Sequence, residues 1–162
     1  MDWDTYFMLE AYIAAIKSKD TRTQVGACIV NSDNSIIAKG YNGPCRGEHD
    51  ENIDIYQKPL KNFLFEHAER NAIYSLSRNG IVGKGCVLYC NLHPCVDCAR
   101  GIIQTGIIEI ILHYNFPDAH NFTESQRAAK DLLLRTKLPV RWWYGKFPMQ
   151  IPILSNGIQY LV

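Results

Sequence analysis

The chain has 162 residues, a length suited to one domain spanning 1–162, and its 47% hydrophobic and 20% charged content excludes wholesale disorder and collagen-like or mucin-like classes. With 17 Lys and Arg against 16 Asp and Glu, the formal net charge is +1, so nothing global favours grip on a nucleic acid, and a small ligand suits the chain better. No stretch approaches the ~20 continuous apolar residues that cross a bilayer, and Met1-Asp2-Trp3-Asp4 opens no leader-like pattern; a soluble, cytoplasmic protein with no membrane contact is expected.

In chain order, residues 4–19 carry Tyr6, Phe7, Leu9, Ile13 and Ile16 at helical spacing and predict a first helix with these on one broad face. Residues 25–30 and 36–41 flank the polar cluster Asn31-Ser32-Asp33-Asn34 and predict a strand hairpin. Residues 43–65 are rich in Pro, Gly and charge without a sustained period, and read as a long loop bordering a site. A helix over 67–76, a buried strand over 85–90, and a helix over 95–104 ended by Gly106 follow. Residues 107–113 predict a strand, 123–135 a helix opened by a Thr123/Gln126 capping box, and 139–144 a last strand. Helices interleaved with strands predict an α/β fold whose sheet is covered on both faces. The apolar tail, 147–162, is expected to cover a core edge or a subunit contact.

The strongest chemical signal joins His67-Ala68-Glu69 to Pro94-Cys95-Val96-Asp97-Cys98, each at a junction into a helix. Zinc prefers nitrogen and thiolate donors, and three protein ligands with one position left to water make a catalytic site where four make a structural one. His67, Cys95 and Cys98 supply that set, and a helix N-terminus favours the thiolate form of both sulfurs. Glu69 stands two residues from His67, close enough to exchange protons with zinc-activated water without entering the coordination shell. Taken singly, His67 reads as an ordinary helix-start histidine and the two cysteines as buried thiols or a redox pair; together, a redox pair explains neither His67 nor Glu69. This His-x-Glu with Pro-Cys-x-x-Cys pattern is the known signature of zinc nucleobase deaminases, which attack C4 of cytosine or C6 of adenine. Cys28, Cys86 and Cys90 alternate with aliphatic residues and read as core packing. Cys45 and His49 offer only half of a second metal site.

Four segments make the chain resemble the deoxycytidylate (dCMP) deaminases from Trp3 to about Tyr144. They are Tyr6-Phe7-Met8, Gln24-Val25-Gly26-Ala27-Cys28-Ile29-Val30-Asn31, Gly40-Tyr41-Asn42-Gly43, and the metal pair His67-Ala68-Glu69-Arg70-Asn71-Ala72-Ile73 with Pro94-Cys95-Val96-Asp97-Cys98-Ala99. The resemblance implies a three-layer α/β/α sandwich around a mixed five-stranded sheet, the cytidine-deaminase-like fold, assembled as a homohexamer. It implies hydrolysis of dCMP to dUMP and ammonia, feeding thymidylate synthesis, with Zn2+ held by His67, Cys95 and Cys98 and Glu69 as proton shuttle. The same likeness gives the Ala68 N–H to the pyrimidine carbonyl oxygen and Asn42 to the sugar, although an asparagine there also suits the tight turn before Gly43. Arg22 and Gln24 flank the position that meets the 5′-phosphate, where an arginine makes charge-assisted bonds; a solvated loop arginine is the plain alternative.

Related zinc chemistry also serves dCTP, deoxycytidine and tRNA adenosine, and a zinc-stabilised binding module is the reading from another class. Glu69 speaks against the module, since a structural zinc has no use for a carboxylate beside an open position. A polynucleotide editor needs a basic track or stacking platforms; the run Trp142-Trp143-Tyr144 alternates between strand faces, so part of it is expected in the core.

Overall fold

The computed structural model describes residues 1–49, 51 and 53–162. Helix α1 (Trp3–Ile16) begins where Asp2 caps it, the carboxylate accepting from the Thr5 N–H at 2.9 Å. Strands β1 (Gly26–Val30) and β2 (Ile36–Tyr41) form the expected hairpin, and the chain passes through Asn42 into β3 (Gly43–Pro44). After a 3-10 turn (Ile53–Tyr56) and the short α2 (Leu60–Leu64), β4 (Phe65–Glu66) returns to pair antiparallel with β3. The excursion therefore ends where it began, and it delivers His67 beside Asn42. Then come α3 (Ala68–Arg78), β5 (Val87–Cys90), α4 (Val96–Thr105), β6 (Glu109–His113), α5 (Glu124–Arg135) and β7 (Val140–Trp143). An antiparallel hairpin of β8 (Pro152–Ser155) and β9 (Ile158–Leu161) ends the chain.

The main sheet has five strands in the order β2-β1-β5-β6-β7. β1 pairs antiparallel with β2 and β5, while β5, β6 and β7 run parallel, so the sheet is mixed. Strand alternation divides its side chains between two cores. Ala27, Ile29, Leu88, Cys90, Ile110 and Leu112 face Ala68, Ala72 and Leu76 of α3, Ala99 and Ile102 of α4, and Ala129 and Leu133 of α5. Cys28, Val30, Tyr89 and Ile111 face Phe7, Met8, Ala11, Tyr12 and Ala15 of α1, joined by Ile151 and Ile153 of the tail. The result is the expected three-layer α/β/α sandwich. The capping box forms as read, with Thr123 accepting from the Gln126 N–H at 3.2 Å and Gln126 answering to the Thr123 N–H at 3.0 Å; Gly106 ends α4 with φ 82°.

Two expectations need correction. The buried face of α1 is turned from the expected one: Phe7 packs inward as read, together with Met8, Ala11, Tyr12 and Ala15, while Tyr6, Ile13 and Ile16 are exposed. Alanines occupy the points of closest approach because α1 lies directly on β1, where a Cβ on Gly26 would overlap the Ala11 carbonyl oxygen. Segment 43–65 is not a plain loop; it holds β3, the 3-10 turn, α2 and the start of β4, and its Asp50 and Asn52 lie outside the described residues. The tail covers a core edge as read, through a hairpin whose Ile151 and Ile153 are buried while Met149, Ile158 and Leu161 stay exposed. Among the described residues, no helix is long and apolar enough to cross a membrane.

Two features carry tests. A Cβ on Gly40 would overlap the Ala68 carbonyl oxygen and the Ala72 backbone nitrogen, so β2 and α3 touch backbone to backbone. Gly40→Ala is expected to lower stability by about 1–3 kcal/mol through forced separation of α3 from the sheet, measured by denaturant melts, and to lower bound zinc with it. The second is His113, buried among Trp143 and Phe147, whose Nδ1 accepts from the Tyr12 hydroxyl at 2.6 Å. Burial pushes its pKa down to about 4. The unfolded histidine takes up its proton near ~6.5 and the folded one only near the lower value, so stability is full above the first and falls between the two, by on the order of 1 kcal/mol per pH unit at most. Melts between pH 7 and 4 should show that slope, and His113→Gln, which keeps an acceptor for Tyr12, should flatten it.

Candidate active site

Two helix N-termini meet at the metal donors. His67 is the residue before α3 and Cys95 the residue before α4, both with extended backbone, and Cys98 lies in the first turn of α4. His67 Nδ1 is 3.4 Å from Cys95 Sγ and 3.5 Å from Cys98 Sγ. All three donor atoms fall within 4.8 Å of one another, and among the described residues they form the one such group. A tetrahedral zinc with ordinary Zn–N and Zn–S bonds separates such donors by about 3.5 Å, so the set fits the ion. Among the described residues, Cys45 and His49, both exposed, belong to no such group.

The electrostatics separate the two sulfurs: Cys95 is held toward the thiolate, while the hydrogen bond with Cys95, burial and the nearby Glu69 push the Cys98 thiol up. The Cys95 thiol is pushed down to about 3, first by the hydrogen bond from Cys98 and then by His67. Arg70 Nη1 stands 3.7 Å from Cys98 Sγ, and Arg70 is itself held by an ion pair to Glu66 one turn earlier. The peptide dipoles of α4 act in the same direction. Zinc requires both sulfurs deprotonated, so the surroundings prepare Cys95 while the ion itself must draw the proton from Cys98.

Beside the donors opens a cavity of about 350 Å³, within the usual range for small-ligand sites. His67, Ala68, Glu69 and Cys95 line it. Glu69 is 3% exposed, and burial raises its carboxyl above the ordinary range, against the opposing pull of His67. A buried carboxyl with a raised pKa next to an open metal position is suited to taking and returning a proton.

A family profile described as the cytidine and deoxycytidylate deaminase zinc-binding region matches residues 1–114. The chain belongs to that family. Among its relatives in this deaminase family, the deoxycytidylate deaminase of Homo sapiens is 40% identical over 136 residues, covering 80% of this chain and 73% of the relative. That of Mus musculus is 40% identical over 153 residues, covering 91% and 83%. Among solved structures, the dCMP deaminase of cyanophage S-TIM5 in apo form matches with a TM-score of 0.68 and 25% identity over 86% of this chain and 96% of that one. The same enzyme in complex with dCMP and dUMP matches with 0.62 and 26%, over 87% and 93%. Zinc is the cofactor of this deaminase domain.

The other residues singled out in this deaminase sequence fall unevenly around the cavity. Asn42 lines it, but both N–H groups of its amide are given to the protein, to Asp20 Oδ2 at 2.9 Å and the Thr23 carbonyl at 2.8 Å. Oδ1 accepts from the Val25 N–H at 2.8 Å, and it is the side-chain atom with capacity left for a ligand. Gln24 and Arg22 are not among the lining residues. The Gln24 amide is taken up by the Ser18 carbonyl at 3.0 Å and the Leu154 N–H at 3.2 Å, and Arg22 is exposed. The residue between them, Thr23, does line the cavity.

Sequence reasoning missed the wall made by His93, Asp118, Asn121, Ser155 and Asn156. One signal was available: Asn156-Gly157 between apolar residues marks a tight hairpin turn, and both have positive φ, 51° and 81°. Of the aromatic run, Trp143 is buried in the core as expected, while Trp142 and Tyr144 join Tyr114 and His120 around a separate cavity of about 560 Å³ that shares His93 with the active site.

Replacing Cys98 by serine removes a buried thiolate from the donor set. Cys98→Ser is expected to reduce zinc from about one ion per chain to a small fraction after dialysis, read by metal analysis.

Proposed function

We propose that the chain hydrolyses dCMP to dUMP and ammonia. The observation that carries this is the buried Glu69 carboxyl on the wall of a cavity that opens beside three convergent zinc donors. Family membership and the relatives named deoxycytidylate deaminase support the choice of substrate.

Zinc, when bound, supplies the Lewis acidity that makes water a competent nucleophile near neutral pH. The chain's own residues do the rest. His67, Cys95 and Cys98 hold the metal. Ala68, fully buried at the start of α3, has a backbone N–H with no helical acceptor of its own, and it donates to the pyrimidine carbonyl oxygen. Oδ1 of Asn42 accepts from a sugar hydroxyl. A Glu69 oxygen takes the proton of the attacking water, passes it to the ring nitrogen beside C4, and transfers the second proton to the amine as the C4–N bond breaks. Water adds its oxygen to C4 and ammonia leaves, so the reaction balances without an oxidant or reductant.

Deoxycytidine is the second reading, because among the described residues neither Lys nor Arg lines the cavity. Arg22 meets a phosphate only from outside that lining, flanking Thr23. Residues 1–162 act as one domain, the tail packing into the same core as α1. A homo-oligomer, a homohexamer by family resemblance, fits the apolar strip of Trp3, Tyr6, Ile13 and Ile16 that α1 leaves exposed. The cytoplasm is the compartment that suits a nucleotide substrate.

Glu69→Gln tests the assignment. Turnover of dCMP, followed as dUMP formation, should fall by on the order of 10²–10⁴-fold while zinc content and the melting curve stay close to the parent. Unchanged turnover would remove the proton shuttle; no turnover by the parent protein would favour a binding module.

A further inference from the structure

One carboxylate holds together a wall built from stretches far apart in sequence. Asp118, in the loop between β6 and α5, accepts from Asn121 Nδ2 at 2.9 Å through Oδ1. Through Oδ2 it accepts from Asn156 Nδ2 at 2.7 Å and from the Ser155 hydroxyl at 3.2 Å. These donors, Asn121 first, hold its carboxyl below the usual carboxylate range. Across the same cavity the Asn156 N–H donates to Thr23 Oγ1 at 3.2 Å, and the Gly157 N–H to the Arg22 carbonyl at 2.8 Å. Asp118 and Asn156 both take the left-handed backbone that residues other than glycine seldom adopt, at φ 63° and 51°.

A nucleotide whose C4 amine lies at Glu69 must rest its 5′-phosphate on cavity wall away from the metal donors. The polar residues there can be sorted by what they have left to give. Gln126 gives one amide N–H to the His93 carbonyl at 2.9 Å and accepts through Oε1 from the N–H and the hydroxyl of Thr123, so the Thr123 proton is engaged and Gln126 answers to His93 and Thr123 rather than to Asp118. The Ser155 hydroxyl goes to Asp118. Asn121 and Asn156 each give Asp118 one amide N–H and keep a second, and Thr23 accepts from Asn156 while its own proton is left over. Asn121, Asn156 and Thr23 are the donors tied to the Asp118 seam, and phosphate oxygens are acceptors only. Asp118 cannot itself contact a phosphate favourably, since like charges repel; what its charge does is fix the direction of both amides.

Resting on the deamination reading and deepening it, we propose that Asp118 is a positioning residue for the phosphate end of the substrate. It holds the Asn121 and Asn156 amides so that their remaining N–H groups, with the Thr23 hydroxyl, receive the 5′-phosphate.

The test compares dCMP with deoxycytidine on the zinc-loaded full chain, for the parent and for Asn156→Gly and Asp118→Asn. Glycine takes positive φ freely and asparagine tolerates it, so both variants keep their backbone turns. In each, kcat/KM for dCMP is expected to fall about tenfold or more relative to that for deoxycytidine, mainly through KM, with zinc content unchanged. Equal losses on both substrates would reduce the cluster to a strut and overturn the proposal. A lower KM for dCMP in Asp118→Asn would also overturn it, because the carboxylate would then be repelling the phosphate. A parent protein that prefers deoxycytidine would sink this inference and leave deamination standing, whereas turnover of neither substrate would sink the reading beneath it.

Discussion

The backbone contact between β2 and α3 at Gly40 governs where the chemistry can occur. With no side chain between them, the first turn of α3 lies against the strand, and Ala68 and Ala72 are small enough to allow it. His67 is then placed at the end of the sheet, next to the point where β2 passes into Asn42 and β3. The parallel strands β5 and β6 bring α4 to the same end, with Cys95 and Cys98 at its start. Close packing on one side of the sheet thus decides a separation of 3.4–3.5 Å between donor atoms on two different helices. A looser helix–strand distance, by even one methyl group, would displace the imidazole from the sulfurs.

The metal end and the rest of the cavity differ in kind. At the metal end, charge and burial dominate: a Cys95 sulfur held toward the thiolate at the start of α4, a guanidinium beside Cys98, and a carboxyl with its pKa raised by the loss of water. The remaining wall is neutral apart from Asp118 and is governed by hydrogen-bond direction. Asn42 belongs to both regimes, since its amide ties Asp20, Thr23 and Val25 together while its oxygen faces the ligand's space. Lys61 completes that junction through an ion pair to Asp20 at 2.6 Å, both side chains being largely buried.

The five main strands, the capping box and the metal set were legible because each follows from a strong local rule: period-two alternation, a side chain reciprocating a backbone, and donor types that only one ion explains. The inward face of α1 was not legible, since hydrophobic bulk at Ile13 and Ile16 outweighs alanine in any periodicity count although alanine is what close contact selects. The two-residue strands β3 and β4 are too short to show a period. The pocket wall at Asp118, Asn121 and Asn156 depends on contacts spanning up to 133 positions, which no window of sequence encodes. Even there the Asn156-Gly157 pair marks the turn, though not the neighbour it touches. The placement of Gln24 shows the reverse problem: a polar residue beside the right position spends its amide on the scaffold, and Thr23 next to it faces inward.

The seam between Thr23 and Asn156 has an implication for how the molecule comes into being. All zinc donors lie between positions 67 and 98, whereas Ser155 and Asn156 follow them well downstream in the chain. A growing polypeptide therefore owns its metal ligands well before it owns the wall at Ser155 and Asn156, and a chain interrupted between the two would be an ion holder with an unfinished substrate chamber.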